Sequence, residues 1–212
     1  MAFTAKKQPF NGHIYEVTIG TGDKACTLGG QNVLPFYTFD EEIANPPKIG
    51  VEIRDDGMGM CTVDGEKTFY EGCTTVAEMA ARAASMEGVS FIALNFAGAD
   101  PNGENKPTEE CVQIAKEVAA ATDMPLVIMG CRNIEKDTEL FDKISDALSD
   151  RNILVLSARD ENYKTVGASA GLAYNQKVGA ETADDINLAK QLNTVMTQLG
   201  VKAESIVMNV GT

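Results

Sequence analysis

From Ile49 onward the sequence alternates short β-branched runs with longer helical stretches, and this alternation restricts the fold more than any other feature. The runs begin at intervals of 24 to 40 residues. They are Ile49–Ile53, Val89–Leu94, Leu126–Met129, Ile153–Leu156, Lys177–Gly179 and Ile206–Met208. Several are apolar throughout, as strands buried on both faces of a parallel sheet usually are. Six such strands separated by helices predict an α/β protein with right-handed crossovers.

Helix signals lie between these runs. Thr75–Glu78 has the spacing of a capping box, and Pro107 followed by two acids is typical of a first helical turn. A third helix is expected to continue to Gly200, which serves as its C-terminal stop. The segment 160–173 predicts a weaker helix, because its two glycines cost helix stability.

Two closures of the sheet are possible, an open doubly wound sheet or a barrel. Each strand–helix unit takes about 27–30 residues, so eight units would need on the order of 220–250, the usual size of a (β/α)₈ barrel. The last run, Ile206–Met208, would otherwise be an exposed apolar edge strand. We therefore expect a (β/α)₈ TIM-type barrel that is incomplete here, with about six βα units, either cut short or completed by residues outside this sequence.

The first 48 residues differ in character from the rest. Three short strand-like runs, Ile14–Ile19, Lys24–Leu28 and Asn32–Phe36, are separated by glycine-rich turns. We expect residues 1–48 to form a β-meander extension at one end of the barrel, and residues 49–212 to form the TIM-type barrel domain.

Composition excludes several classes of function. The chain has 31 acidic and 18 basic residues, a net charge of −13 that repels nucleic acid and anionic membranes. No apolar run approaches the ~20 residues of a spanning helix, and the N-terminus lacks a secretory h-region. We therefore expect a cytoplasmic protein that binds neither nucleic acid nor membranes.

The scarce residues limit the chemistry further. His13 is the single histidine, so a site built from several histidines is impossible. The five cysteines include no C-x₂-C pair, and no zinc or iron–sulfur ligand set can be recognised. We expect reduced structural thiols and no metal bound by this chain.

Polar residues follow the predicted strands at their carboxyl ends, where barrels place their sites. The candidates for binding a ligand are Asn95, Ser157, Arg159 and Asn209. Amide and hydroxyl groups without a nucleophile beside a base suit hydrogen bonding to a large polar ligand better than acid–base catalysis, so we assign no catalytic residue. The alternative for each residue alone is that it caps the next helix. Glu52 and Arg54 share the second face of the first strand, where a buried pair between them would be structural.

Four stretches of the sequence resemble the small (delta) subunit of the corrinoid iron–sulfur protein, from the acetyl-CoA decarbonylase/synthase pathway. The most specific is Leu28–Asp40, which contains Leu-Pro-Phe, followed by Asn45–Ile53, which contains Asn-Pro-Pro. Val89–Asn95 and Ile206–Met208 agree as well. The resemblance covers essentially the whole chain, although family members continue further at the C-terminus.

This resemblance implies a TIM-barrel subunit paired with a larger subunit that carries the cobalamin-binding domain and the iron–sulfur cluster. The heterodimer would accept a methyl group from methyltetrahydrofolate through a methyltransferase, and would deliver it to acetyl-CoA synthase. The barrel mouth would face the corrinoid, which implies that Asn95, Ser157, Arg159 and Asn209 contact it.

Two alternatives remain open at this point. The chain could be a pterin-dependent methyltransferase barrel that acts on methyltetrahydrofolate, with Asn95 as the natural pterin ligand. It could also be a purely structural scaffold barrel. Corrinoid binding that requires a partner subunit would distinguish the small subunit of a methyl carrier from both of these alternatives.

Overall fold

The computed structural model describes residues 12, 14–31 and 44–210. In this part of the chain, a two-stranded antiparallel sheet accompanies a six-stranded parallel one. The hairpin consists of β1 (Glu16–Ile19) and β2 (Cys26–Gly29). The parallel sheet consists of β3 (Ile49–Arg54), β4 (Val89–Asn95), β5 (Leu126–Met129), β6 (Leu154–Ala158), β7 (Lys177–Glu181) and β8 (Ile206–Asn209).

Helices connect the parallel strands. They are α1 (Asp64–Phe69), α2 (Val76–Ala84), α3 (Thr108–Ala121), α4 (Ile134–Ala147), α5 (Tyr163–Val166) and α6 (Ile186–Leu199). A π-helical turn, Gly167–Ala173, continues α5. The structure confirms the expected parallel six-stranded α/β sheet.

The strands lie side by side in chain order, β3 to β8, without the reversal of order that characterises a doubly wound sheet. Right-handed crossovers in this order place all helices on one face. The main core accordingly forms between that face and the helices, with Ile53, Leu94 and Ile128 of the sheet in one cluster with Met79 and Phe141. Within the described part of the chain, β3 and β8 are the two edges of this sheet.

The hairpin covers the opposite face of the sheet at the amino ends of the strands. Val17 and Ile19 belong to a second apolar cluster with Val127 and Leu154. The backbone amide of Gly20 donates to the carbonyl of Asn152 at 2.8 Å, which fixes the hairpin just before β6. Of the three predicted runs, Asn32–Phe36 lies outside the described residues, so the expected meander is seen as a hairpin.

The capping box predicted at Thr75–Glu78 begins α2. The Thr75 hydroxyl accepts from the Glu78 amide at 3.2 Å, and Glu78 Oε2 accepts from the Thr75 amide at 3.2 Å. Gly200 follows α6 with φ +109°, the left-handed conformation that glycine adopts most readily at a helix end.

The weak helix expected over 160–173 is formed with its glycines packed against other elements. A Cβ on Gly167 would lie 3.0 Å from Leu199 Cδ2, and one on Gly171 would lie 3.1 Å from Val201 Cγ2. The glycines that lower helix stability therefore allow close contact with the end of α6.

A buried pair between Glu52 and Arg54 does not form. Both residues are exposed, since β3 is a sheet edge in the described part of the chain. Arg54 Nη2 instead lies 3.2 Å from Asp56 Oδ2. The structure describes no helix long and apolar enough to cross a membrane.

Candidate functional site

The carboxyl ends of β5 to β8 surround a pocket of about 330 Å³. Parallel strands bring their carboxyl ends to one edge of the sheet, so the side chains that follow β6, β7 and β8 converge there. Ser157, Arg159 and Asn209, three of the four predicted site residues, line this pocket. Glu181, Thr182 and Asp137 line it as well, although they are not among the four predicted site residues.

Asn95, the fourth predicted residue, is not among the residues that line the pocket. It ends β4 opposite Met129 of β5, and its Nδ2 donates to Glu52 Oε1 at 2.7 Å. The structure therefore places Asn95 beside the site and bonded to the first strand of the sheet.

An ion pair crosses the mouth of the pocket between the ends of β6 and β7. Arg159 Nη2 lies 2.7 Å from Glu181 Oε1, and the two side chains are 28% and 27% exposed. The Arg159 amide donates to Asn162 Oδ1 at 2.8 Å, and Asn162 Nδ2 donates to Thr138 Oγ1 of α4 at 3.1 Å. The backbone before α5 is thus fixed to the neighbouring helix, which orients the guanidinium.

Asp137 holds the loop that follows β5. Its carboxylate accepts from the backbone amides of Cys131, at 2.7 Å, and Arg132, at 3.0 Å. Gly130 has no room for a Cβ beside this carboxylate. Burial raises the pKa of Asp137, although the hydrogen bonds from Cys131 and Arg132 and the charge of Arg159 oppose this shift. Asp137 is a positioning residue for the loop.

Cys131 is half-buried next to this carboxylate. Burial, and the charge and hydrogen bond of Asp137, raise the pKa of its thiol to about 11, although the backbone at Asn133 lowers it. The thiol is therefore protonated near neutral pH and is a poor nucleophile.

Two buried hydroxyl groups face the same pocket without a hydrogen-bond partner among the described residues. They are Ser157 Oγ at the end of β6 and Thr182 Oγ1 just after β7, in residues that are 7% and 3% exposed. Thr182 occupies the same strand-end position that marked the other candidates, and this position was the signal that could have identified it.

A second polar cluster stabilises the same edge of the sheet further along. Lys106 Nζ lies 3.1 Å from Asp55 Oδ2 and donates to the Asp55 carbonyl at 2.8 Å, and both side chains are buried. Burial lowers the pKa of Lys106, but the hydrogen bond and charge of Asp55, together with Glu104 and Glu110, outweigh it and raise the pKa. This ion pair joins the loop before α3 to the end of β3.

Within residues 12, 14–31 and 44–210, no group of three or more His, Cys, Asp or Glu side chains is arranged to hold a metal ion. The described cysteines are free thiols, and four of them are buried. Burial raises the pKa of the Cys111 thiol to about 12.

A sequentially ordered parallel sheet with a polar pocket at its strand ends defines an α/β protein whose site lies at the carboxyl ends of its strands. The chain belongs to the CO dehydrogenase/acetyl-CoA synthase delta subunit family, whose model matches residues 16–212.

Curated relatives agree with this assignment. The acetyl-CoA decarbonylase/synthase complex subunit delta of Methanothermobacter thermautotrophicus is 30% identical over 209 residues, which cover 98% of this chain and 53% of the relative. The Archaeoglobus fulgidus subunit delta is 28% identical over 216 residues, covering 98% of this chain and 47% of that protein. Subunit delta 1 of Methanosarcina thermophila is 28% identical over 192 residues, with 90% and 43% coverage. The chain spans about half the length of these relatives.

Proposed function

We propose that the chain is the small subunit of a heterodimeric corrinoid and iron–sulfur methyl carrier. The carrier would take a methyl group from methyltetrahydrofolate, through a methyltransferase, and pass it to acetyl-CoA synthase. The observation that carries this proposal for a member of the delta subunit family is the polar pocket at the carboxyl ends of β5 to β8. The role of this chain is auxiliary: it binds and orients the corrinoid, while a larger partner subunit holds it from the other side.

The residues around the pocket fit a corrinoid. The side chains at the edge of a corrinoid end in amides, and neutral hydroxyl and amide groups bind these without burying a charge. Ser157, Thr182 and Asn209 supply such groups, and Arg159, held by Glu181, supplies a fixed donor. When bound, the corrinoid supplies the cobalt that carries the methyl group. The chain's own residues hold and orient its edge.

The iron–sulfur cluster belongs to the partner in this proposal. Cluster ligation takes several cysteines within reach of one another, and the described part of this chain has no group of metal-binding side chains. The partners in this proposal are the large corrinoid-carrying subunit, the methyltransferase and acetyl-CoA synthase.

We also propose that the six-stranded sheet is part of a (β/α)₈ TIM-type barrel. The sequential parallel order and the helices on one face support this closure. Further support comes from Glu52 and Arg54, which face away from the helices at the edge strand, where a closed barrel would have its interior.

Visible absorbance tests the proposed function. The chain alone, the large subunit alone and the two together are incubated with aquocobalamin, desalted and scanned. We expect this chain to retain corrinoid only in the complex. We also expect the corrinoid spectrum of the large subunit to change when this chain is added. Tight methyltetrahydrofolate binding by the chain alone would favour a pterin-dependent methyltransferase. A complex whose corrinoid spectrum is unaffected by this chain would favour a structural scaffold.

A further inference from the structure

Two unsatisfied hydroxyl groups lie at the pocket. Ser157 Oγ and Thr182 Oγ1 are buried, lie at the ends of the adjacent strands β6 and β7, and have no partner among the described residues. A buried polar group without a partner costs about 1–3 kcal/mol, so two at one pocket indicate a ligand that completes them.

Gly179 of β7 lets the Leu156 side chain pack against the backbone beside Ser157. A Cβ at this glycine would lie 3.2 Å from Ser157 Oγ and would collide with the Leu156 side chain. A larger residue here would therefore displace Leu156, which itself lines the pocket next to Ser157.

The charges around the pocket disfavour an ionic ligand. The lining has two guanidinium groups, of Arg132 and Arg159, and Arg159 is already paired with Glu181. It has three carboxyl groups, since Asp137 and Asp184 add to Glu181, so acids outnumber bases there. A ligand carboxylate or phosphate would meet these acids, while a ligand cation would leave the hydroxyl protons without an acceptor. A hydroxyl group both donates and accepts, so a neutral group with a donor and an acceptor matches the pair.

We propose that Ser157 and Thr182 form a subsite for a primary carboxamide. One hydroxyl accepts from the amide NH₂ and the other donates to the amide carbonyl, and the carboxamide is a side chain of a larger ligand. The identity of that ligand as a corrinoid rests on the proposed function. The chemistry of the subsite does not.

Methyl NMR of the 212-residue chain tests the subsite without a corrinoid. Acetamide and acetate, which have the same shape and differ in charge, are titrated while the methyl signal of Ala183 is followed, since Ala183 lines the pocket and is present in every variant. The expected result is a saturable shift with acetamide in the millimolar range and none with acetate. The Ser157→Ala/Thr182→Val variant should weaken acetamide binding roughly tenfold or more, since two hydrogen bonds are lost.

Ser145→Ala is the matched control. Ser145 on α4 is also buried, with a hydroxyl that has no partner in the described part of the chain, but it does not line the pocket, so this variant should bind acetamide as the unchanged chain does. Thermal melting checks folding, and both variants should melt no lower than the parent because each removes an unpaired buried hydroxyl. An equal response to acetamide and acetate, no saturable shift, or an unaltered double variant would overturn the subsite.

A second titration separates the subsite from the proposed function. The complex with the large subunit is titrated with cobalamin and with cobalamin monocarboxylates, in which one side-chain amide is a carboxylate. Weaker binding of one monocarboxylate, and loss of that discrimination in Ser157→Ala/Thr182→Val, is expected. Acetamide binding without any corrinoid discrimination would leave the subsite standing and contradict its use in the proposed function. Corrinoid binding by the complex without acetamide binding would overturn the subsite alone.

Discussion

Arg159 Nη2 and Glu181 Oε1 lie 2.7 Å apart across the carboxyl ends of β6 and β7. The two residues are 22 positions apart in sequence and meet because parallel neighbours end at the same edge. This pair gives the mouth of the pocket a guanidinium of fixed direction without leaving a net positive charge there.

Glu181→Gln removes the charge of this pair and preserves its size. Both side chains are about a quarter exposed, so the free energy of unfolding measured in urea should fall by less than about 1 kcal/mol. In the complex with the large subunit, the corrinoid Kd should rise several-fold because Arg159 is no longer held.

Asp56→Asn is the control for this prediction. It removes the acid of the ion pair between Arg54 Nη2 and Asp56 Oδ2, which are 3.2 Å apart. Neither residue lines the pocket. An equal effect of the two substitutions on the corrinoid Kd would contradict a specific role of Glu181.

Lys106→Met breaks the buried pair with Asp55 and leaves a buried carboxylate that keeps the hydrogen bond from the Gly98 amide but has lost its counter-charge. The free energy of unfolding should fall by about 3–5 kcal/mol, measured by urea denaturation. Lys67→Met, at an exposed pair with Asp64, should change it by no more than about 0.5 kcal/mol. A Lys106→Met loss as small as that of Lys67→Met would show that the buried pair does not stabilise this edge.

Gly130→Ala introduces a Cβ against the Asp137 carboxylate, which two backbone amides hold in place. We expect a loss of about 1–3 kcal/mol in stability, because neither the loop nor the carboxylate can move freely. Gly65→Ala in α1 meets no atom and should leave stability unchanged or slightly higher. Thermal melting of both variants would show the contrast, and equal melting temperatures would argue against the tight loop.

The Cys131 thiol should react slowly at pH 8 and faster toward pH 11. Its pKa of about 11 is about two units above the ordinary value, which lowers the thiolate fraction at pH 8 on the order of a hundredfold. Iodoacetamide labelling followed by peptide mass spectrometry measures the rate at this residue. Labelling as fast as that of an unfolded control at pH 8 would contradict the buried environment.

The same raised pKa has a consequence for stability. Since the folded-state pKa lies above that of the unfolded chain, the stabilisation by the protonated thiol is fully present below the unfolded pKa. It is lost as pH rises through about 11. As pH rises from the unfolded-state pKa of the thiol to about 11, the free energy of unfolding should fall less for Cys131→Ser than for the parent chain. Urea denaturation at a series of pH values measures this difference.

The six strands and their parallel arrangement could be predicted from the sequence. Buried parallel strands are apolar throughout, and the helix signals between them are local. Thr75 and Glu78, only three residues apart, are an example. Contacts that depend on register could not be predicted in this way. Asn95 bonds to Glu52 through the pairing of β4 with β3, and Asp137 reaches back to Cys131 because of how α4 packs. Thr182 was overlooked although it follows a strand end.

The measurement that tests the central claim most directly is the corrinoid Kd of the complex with the large subunit, measured by visible absorbance. The Ser157→Ala/Asn209→Ala variant is compared with the unchanged chain and with Ser145→Ala, and size-exclusion chromatography confirms that each complex is intact. The account predicts a Kd about thirtyfold higher for the pocket variant, since two hydrogen bonds of about 1 kcal/mol each are lost, and no change for Ser145→Ala. An unchanged Kd in the intact pocket variant would contradict corrinoid contact at these strand ends.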